Sequence, residues 1–226
     1  MIRNLTAALV LALVTPVSGH AEGRLSYTAQ AGDAGRMKMT ERWRGNAMRT
    51  DIEGVDAYML MRDGTIYSII SMAGRITVMD LGQLQDAPGA GAAQSPSQPQ
   101  VGGLFPETIE EMRAAGETRE IAGIEGEVYD VEWTDNTGQA QTDTAVLSDD
   151  PRLLENQSRK MRQIEAMSGE PPNPLLVELE ARGLAPLSFG DRYLVTEVSG
   201  SAGPAGDFEL PAEPLDLGGA MGMGQK

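Results

Sequence analysis

The sequence predicts an α+β protein that is mainly antiparallel sheet. Three observations lead there: residues 24–81 divide into short alternating segments joined by two-residue turns, a second such set runs from 118 to 147, and a helical period takes over only between 149 and 183. The 226 residues are 41% hydrophobic, enough for one core, while 4% aromatics beside 13 Met make that core aliphatic and thioether-filled.

At the amino terminus, Arg3 precedes a ten-residue, largely apolar run, Leu5–Val14, and Thr15-Pro16 then leads through small residues to Ala21. This order reads as a secretory signal over residues 1–21, cut after Ala21 or alternatively after Gly19. The run is too short to span a bilayer, and with 0 Cys in the chain there is no lipid-anchoring thiol and no disulfide framework. The expected product is a periplasmic or secreted protein without stable membrane insertion. It carries a single domain over 22–213, a disordered Ala/Gly/Pro/Ser/Gln insertion at 86–103 and a flexible tail at 214–226.

The one His, His20, falls inside the expected signal, so the mature chain has neither His nor Cys. That removes Ser-His-Asp and Cys-His nucleophiles, His-ligated metals and thiol redox chemistry. Lysine occurs only as Lys38, Lys160 and Lys226, none preceded by Ser-x-x. Carboxylate chemistry of the glycosidase type remains open by spacing, but the aromatics on which sugars stack are scarce. The expectation is a protein that is not an enzyme and uses no cofactor and no metal. A formal charge of -15 repels phosphate backbones and anionic headgroups, so nucleic acid is not an expected partner.

The elements follow in order. Arg24–Gln30, Arg36–Arg44, Ala47–Glu53, Ala57–Arg62, Thr65–Ser71 and Arg75–Leu81 read as a meander, with Gly45-Asn46, Asp63-Gly64 and Ala73-Gly74 as turns. Its middle strands are apolar on both faces, which requires cover on both sides or a cavity on one. Pro106–Ala115 reads as a short helix from its leading Pro, its acids and the three-residue spacing of Ile109 and Met112. Thr118–Ala122, Gly126–Thr134 and Gln141–Leu147 read as strands. Asp149 and Asp150 cap a helix opened by Pro151, with Leu154, Met161, Ile164 and Met167 on one face; Asn173-Pro174 starts a second helix to Gly183, and Asp191–Ser199 is a last strand.

Glu41-x-Trp43-x-Gly45-Asn46-Ala47-Met48-Arg49-x-Asp51, then Asp63-Gly64-x-x-Tyr67 with Met79-Asp80-Leu81, Ile121-Ala122-Gly123 before Tyr129-Asp130-Val131, and Phe208-x-Leu210-Pro211 occur in this order. Over roughly residues 24–213 the succession resembles the lipoprotein-carrier superfamily typified by LolA, LppX and LprG, and within it an exported bacterial branch with no assigned activity. The resemblance implies a curved half-barrel sheet wrapped around a few helices, with an apolar cavity for acyl chains.

Alternation places Met37, Met39, Met48, Met59, Met61, Ile66, Ile70, Ile76 and Val78 on the cavity face of the sheet, and Leu154, Met161 and Ile164 on the inner face of the helix. The expected function is an exported soluble binding or carrier protein for a lipid or other apolar ligand. The alternative is an envelope interaction or structural protein whose half-barrel is filled by its own side chains. A third reading takes Met37/Met39, Met59/Met61 and Met221/Met223 as soft ligands for Cu(I). Arg159, Lys160 and Arg162 sit where cations favour the helix dipole, or where a partner or phosphate would meet them; Arg49 is expected to pair with acids near Asp51 or to lie exposed.

Overall fold

The computed structural model describes residues 22–30, 35–86, 106–135, 137–168 and 173–215. The expected signal, residues 87–103 of the expected insertion and residues 216–226 of the expected tail lie outside the described residues.

Eleven strands form one open antiparallel sheet: β1 (Glu22–Gln30), β2 (Arg36–Arg44), β3 (Ala47–Ile52), β4 (Ala57–Arg62), β5 (Thr65–Met72), β6 (Arg75–Asp80), β7 (Thr108–Ile121), β8 (Ile124–Thr134), β9 (Ala140–Ser148), β10 (Ala185–Phe189) and β11 (Tyr193–Ser199). Their spatial order is β6-β5-β4-β3-β2-β1-β11-β10-β9-β8-β7. Two meanders thus grow outward from the β1–β11 pair, and β6 and β7 are the free edges. The turns that make this possible are local. Asp63 and Gly64, Ala73 and Gly74, and Ala122 and Gly123 all have positive φ, the backbone that a two-residue turn between twisted strands requires.

Helices α1 (Leu81–Asp86), α2 (Pro151–Ser168) and α3 (Pro174–Arg182) complete the domain. Asp150 caps α2 by accepting from Arg152 N at 2.9 Å, and Asn173 caps α3 by accepting from Leu175 N at 2.8 Å. At 1.5 Å per residue α2 is about 27 Å long, enough to cross five strand spacings of about 4.8 Å when laid across the strands. Leu153 packs in the main core, to which β1, β2, β7–β11 and α3 all contribute, and Met167 packs against Met48 of β3, Met61 of β4 and Ile66 of β5.

The face that α2 covers is called the inner face. On its β8–β11 side Ala145 and Phe189 of the sheet and Leu179 of α3 are at most 1% exposed. The outer face carries a smaller cluster of Leu60, Ile69 and Val78, roofed by Ala202, Phe208 and Leu210 of the closing segment. A 3-10 turn at Ala205–Phe208 is tied down there: Arg42 pairs with Asp207, Arg44 donates to Gly203 O at 2.8 Å, and Leu215 N donates to Val78 O at 2.9 Å. Both apolar faces of the middle strands are therefore covered in part, with Leu60, Ile69 and Val78 buried on the outer face and Met48, Met61 and Ile66 on the inner one.

Three expectations are corrected. The helix expected at Pro106–Ala115 is the first part of β7: a bulge between Ile109 and Glu111 brings Ile109 opposite Trp133 and Met112 opposite Val131, so a three-residue apolar spacing serves a strand. β10 has no counterpart in the expected elements; it carries Pro186 beside a bulge, where the missing N–H is tolerated. Ile76 and Val78 lie on the outer face, because β6 pairs Ile69 with Val78 and Ser71 with Ile76. The inner positions of β6 are Thr77 and Met79.

Candidate functional site

Cross-strand pairing sets which side chains share the inner face. Tyr27 opposes Met39, Glu41 opposes Thr50, Trp43 opposes Met48, Thr50 opposes Met59, Met48 opposes Met61, and Met61 opposes Ile66. Met37, Met39, Met48, Met59, Met61, Ile66 and Ile70 thus share the face that α2 crosses, and α2 reaches Met48, Met61 and Ile66 through Met167. Met48, Met61 and Ile66 are buried with Met167. Met37, Met39, Met59, Ile70 and Met79 remain partly exposed.

Across this face runs a polar cluster. Glu41 is 2% exposed and accepts from Tyr27 Oη at 2.6 Å, from Lys160 Nζ at 2.9 Å and from Asn156 Nδ2 at 2.8 Å. Lys160 Nζ also lies 3.3 Å from Tyr27 Oη and 4.4 Å from the Tyr27 ring centroid, and the Tyr27 and Tyr193 rings approach to 4.9 Å. Burial pushes both phenols well above their ordinary value near 10, and the Glu41 carboxylate reinforces the shift. Tyr27 is therefore a neutral donor at physiological pH. Both oxygens of Glu41 are engaged, so the cluster fixes α2 on the sheet: the ammonium neutralises a carboxylate that burial alone would destabilise by several kcal/mol.

The buried stripe of α2 differs from the expected apolar one. Leu153, Asn156, Gln157, Arg159 and Gln163 are buried, whereas Leu154, Met161 and Ile164 are only partly so. Leu154 packs on the main core, and Arg159 is held by Glu155 at 2.6 Å. Gln163 Nε2, Thr50 Oγ1 and Trp43 Nε1 are buried and have no hydrogen-bond partner. Of the three basic residues read on α2, two are thus spent in ion pairs, and only Arg162 is exposed.

Open depressions lie on the outer face among the described residues. One, of about 670 Å³, is lined by Arg24, Ser26, Lys38, Asp51, Glu53 and Glu197, with Arg24 paired to Glu197 and Lys38 to Glu53 at 2.9 Å. Another, of about 280 Å³, includes Val55, Tyr58, Ile69, Ile76 and Pro211. Arg49 bridges to Asp51 at 2.7 Å and stacks 3.6 Å over the Tyr58 ring, so it is paired.

The Met37/Met39 and Met59/Met61 pairs share the inner face but stand on β2 and β4, two strand spacings or about 10 Å apart. Met221 and Met223 lie outside the described residues. Among the described residues no three His, Cys, Asp or Glu side chains converge on a metal position, and no helix is long and apolar enough to cross a membrane.

The chain matches no family model, no curated protein and no solved structure.

Sequence reading assigned Glu41, Tyr27 and Asn156 no role. The signal available was the lone acid in an otherwise apolar alternation, Met37, Met39, Glu41, Trp43, and the single internal Lys of a helix whose stripe also carries Asn156 and Gln163. A buried carboxylate demands a cation, and chain separation hides which one.

Proposed function

We propose that this protein is an exported, non-enzymatic binding or carrier protein for a lipid or other apolar ligand, housed between α2 and the methionine-rich half of the inner face in a LolA-like half-barrel. One observation carries the reading. On the same sheet face, Ala145, Phe189 and Val195 of the β8–β11 half are at most 2% exposed, while Met37, Met39, Met59, Ile70 and Met79 stay partly exposed on the other half. Large apolar side chains left incompletely covered on the protein-facing side of a sheet are the lining that an apolar guest uses, and flexible thioethers adapt to chains of different shape.

Native mass spectrometry of protein taken from its own source, followed by organic-solvent extraction, tests this. The expected result is a bound mass of an amphiphile or lipid that the solvent releases; a homogeneous apo mass, unchanged after incubation with lipid extract, contradicts it.

The second reading, an envelope interaction protein whose half-barrel is filled by its own side chains, draws on the polar groove of about 670 Å³ on the outer face. It is favoured if the apo mass is found and pull-down from envelope extract depends on Lys38 and Arg24.

A further inference from the structure

The α2–sheet interface contains donors that the protein itself leaves unused. Thr50 is 3% exposed and Gln163 5%, and neither Thr50 Oγ1 nor Gln163 Nε2 has a partner. A buried donor without an acceptor costs about 1–3 kcal/mol, so two such groups on facing elements point to an acceptor that arrives from outside.

Helix register brings them to one place. Asn156, Lys160, Gln163 and Met167 follow one another at spacings of four, three and four, a single stripe of α2. Lys160 is anchored over β1 and β2 by Tyr27 and Glu41, and Met167 over β3, β4 and β5 by Met48, Met61 and Ile66. Gln163, between them, is carried over β2–β3, where Thr50 stands opposite Glu41 on one side and Met59 on the other.

We propose that Thr50 Oγ1 and Gln163 Nε2 together recognise an uncharged carbonyl, an ester or amide, of a ligand whose hydrocarbon chain lies along Met59 and its neighbours. This rests on the carrier reading above and adds the chemical class of the ligand. The local charges decide against a carboxylate. Glu41 already takes up the Lys160 ammonium, both unused donors are neutral, and the chain as a whole carries -15. An anion placed beside the buried Glu41 would meet repulsion, with Lys160 and Arg159 already paired, whereas a neutral carbonyl accepts two hydrogen bonds at no such cost.

The test uses the full chain at pH 8 with three fluorescent probes: cis-parinaric acid methyl ester, cis-parinaric acid and diphenylhexatriene, the last without any polar group. Wild type is expected to bind the ester more tightly than the acid. Thr50→Val with Gln163→Leu is expected to weaken the ester about tenfold while diphenylhexatriene changes by less than twofold, which also shows that the variant's cavity is intact. Thr50→Val alone should cost the ester about threefold. An ester affinity unchanged in the double variant overturns the proposal, since the two atoms then hold no more than a bound water. So does a wild-type preference for the acid, or an equal loss of diphenylhexatriene in the double variant. If wild type binds none of the three probes, the carrier reading itself fails; if it binds diphenylhexatriene and the variant keeps the ester, only the carbonyl assignment fails.

Discussion

Asn156 Nδ2 on α2 lies 2.8 Å from Glu41 Oε2 on β2, 115 residues away in the chain, and one turn further along the helix Lys160 reaches the other carboxylate oxygen. The pair of contacts fixes both the position and the rotation of α2 over the sheet. Lys160→Met therefore leaves a 2%-exposed carboxylate without its cation and should destabilise the protein by about 3 kcal/mol. Adding Glu41→Gln removes the stranded charge, and the double variant should recover about half of the loss. Urea midpoints of the two single variants and the double variant check this through the sign of the coupling.

The Tyr27 phenol gives the cluster an alkaline limit. Folded and unfolded chains both hold the phenolic proton below about pH 10; above it the unfolded chain releases the proton first, so stability falls as pH climbs toward the raised folded value. Tyr27→Phe should lower stability at pH 8 by about 1 kcal/mol through loss of the hydrogen bond to Glu41. It should also flatten the decline between pH 9.5 and 11. Denaturation midpoints across that range are the measurement, and a variant that declines as steeply as wild type contradicts the assignment.

Asp150 governs the acid side of α2. Its carboxyl is held below the ordinary carboxylate value chiefly by the Arg152 side chain, with the Arg152 N–H adding to it. The stabilisation is present above about pH 4 and is lost as pH falls through the depressed folded value. Asp150→Ala should cost about 1 kcal/mol at pH 7, and the gap to wild type should close as pH drops to 3.

Two glycines permit contacts that no other residue allows. A Cβ on Gly126 would meet the Leu147 carbonyl oxygen at 2.7 Å and the Leu187 side chain, and one on Gly23 would overlap the Trp43 ring. Gly126→Ala, pressed against backbone, should destabilise by about 2 kcal/mol. Thermal unfolding of this variant beside Gly116→Ala, where a Cβ meets no atom within 4 Å but φ is +76, separates overlap from backbone strain.

The meander of β1–β6 was legible in the sequence because its turns announce themselves, Asp63-Gly64 most clearly, and because Arg36–Arg44 alternates without interruption. Where a bulge intervened the alternation failed: Ile109 and Met112 mimic a helical spacing, and Pro186 conceals β10. Period two alone put the methionines of β2, β3 and β4 on one common face, but not Ile76 and Val78, which stand on the opposite face, where the closing segment carrying Phe208 supplies an apolar partner to Val78. The Glu41 cluster was not legible. Its members lie on β1, β2, β11 and α2, and only the strand order that seats β11 beside β1 brings them together.

Diphenylhexatriene titration of wild type, Met59→Glu and Val177→Glu tests most directly whether the methionine face receives a guest. Val177 lies on α3 and is 45% exposed, away from the face in question. The account predicts saturable fluorescence with wild type and with Val177→Glu, and at least a tenfold weaker response with Met59→Glu, because the guest would have to lie against a buried charge. Equal binding by all three, or none by wild type, would contradict it.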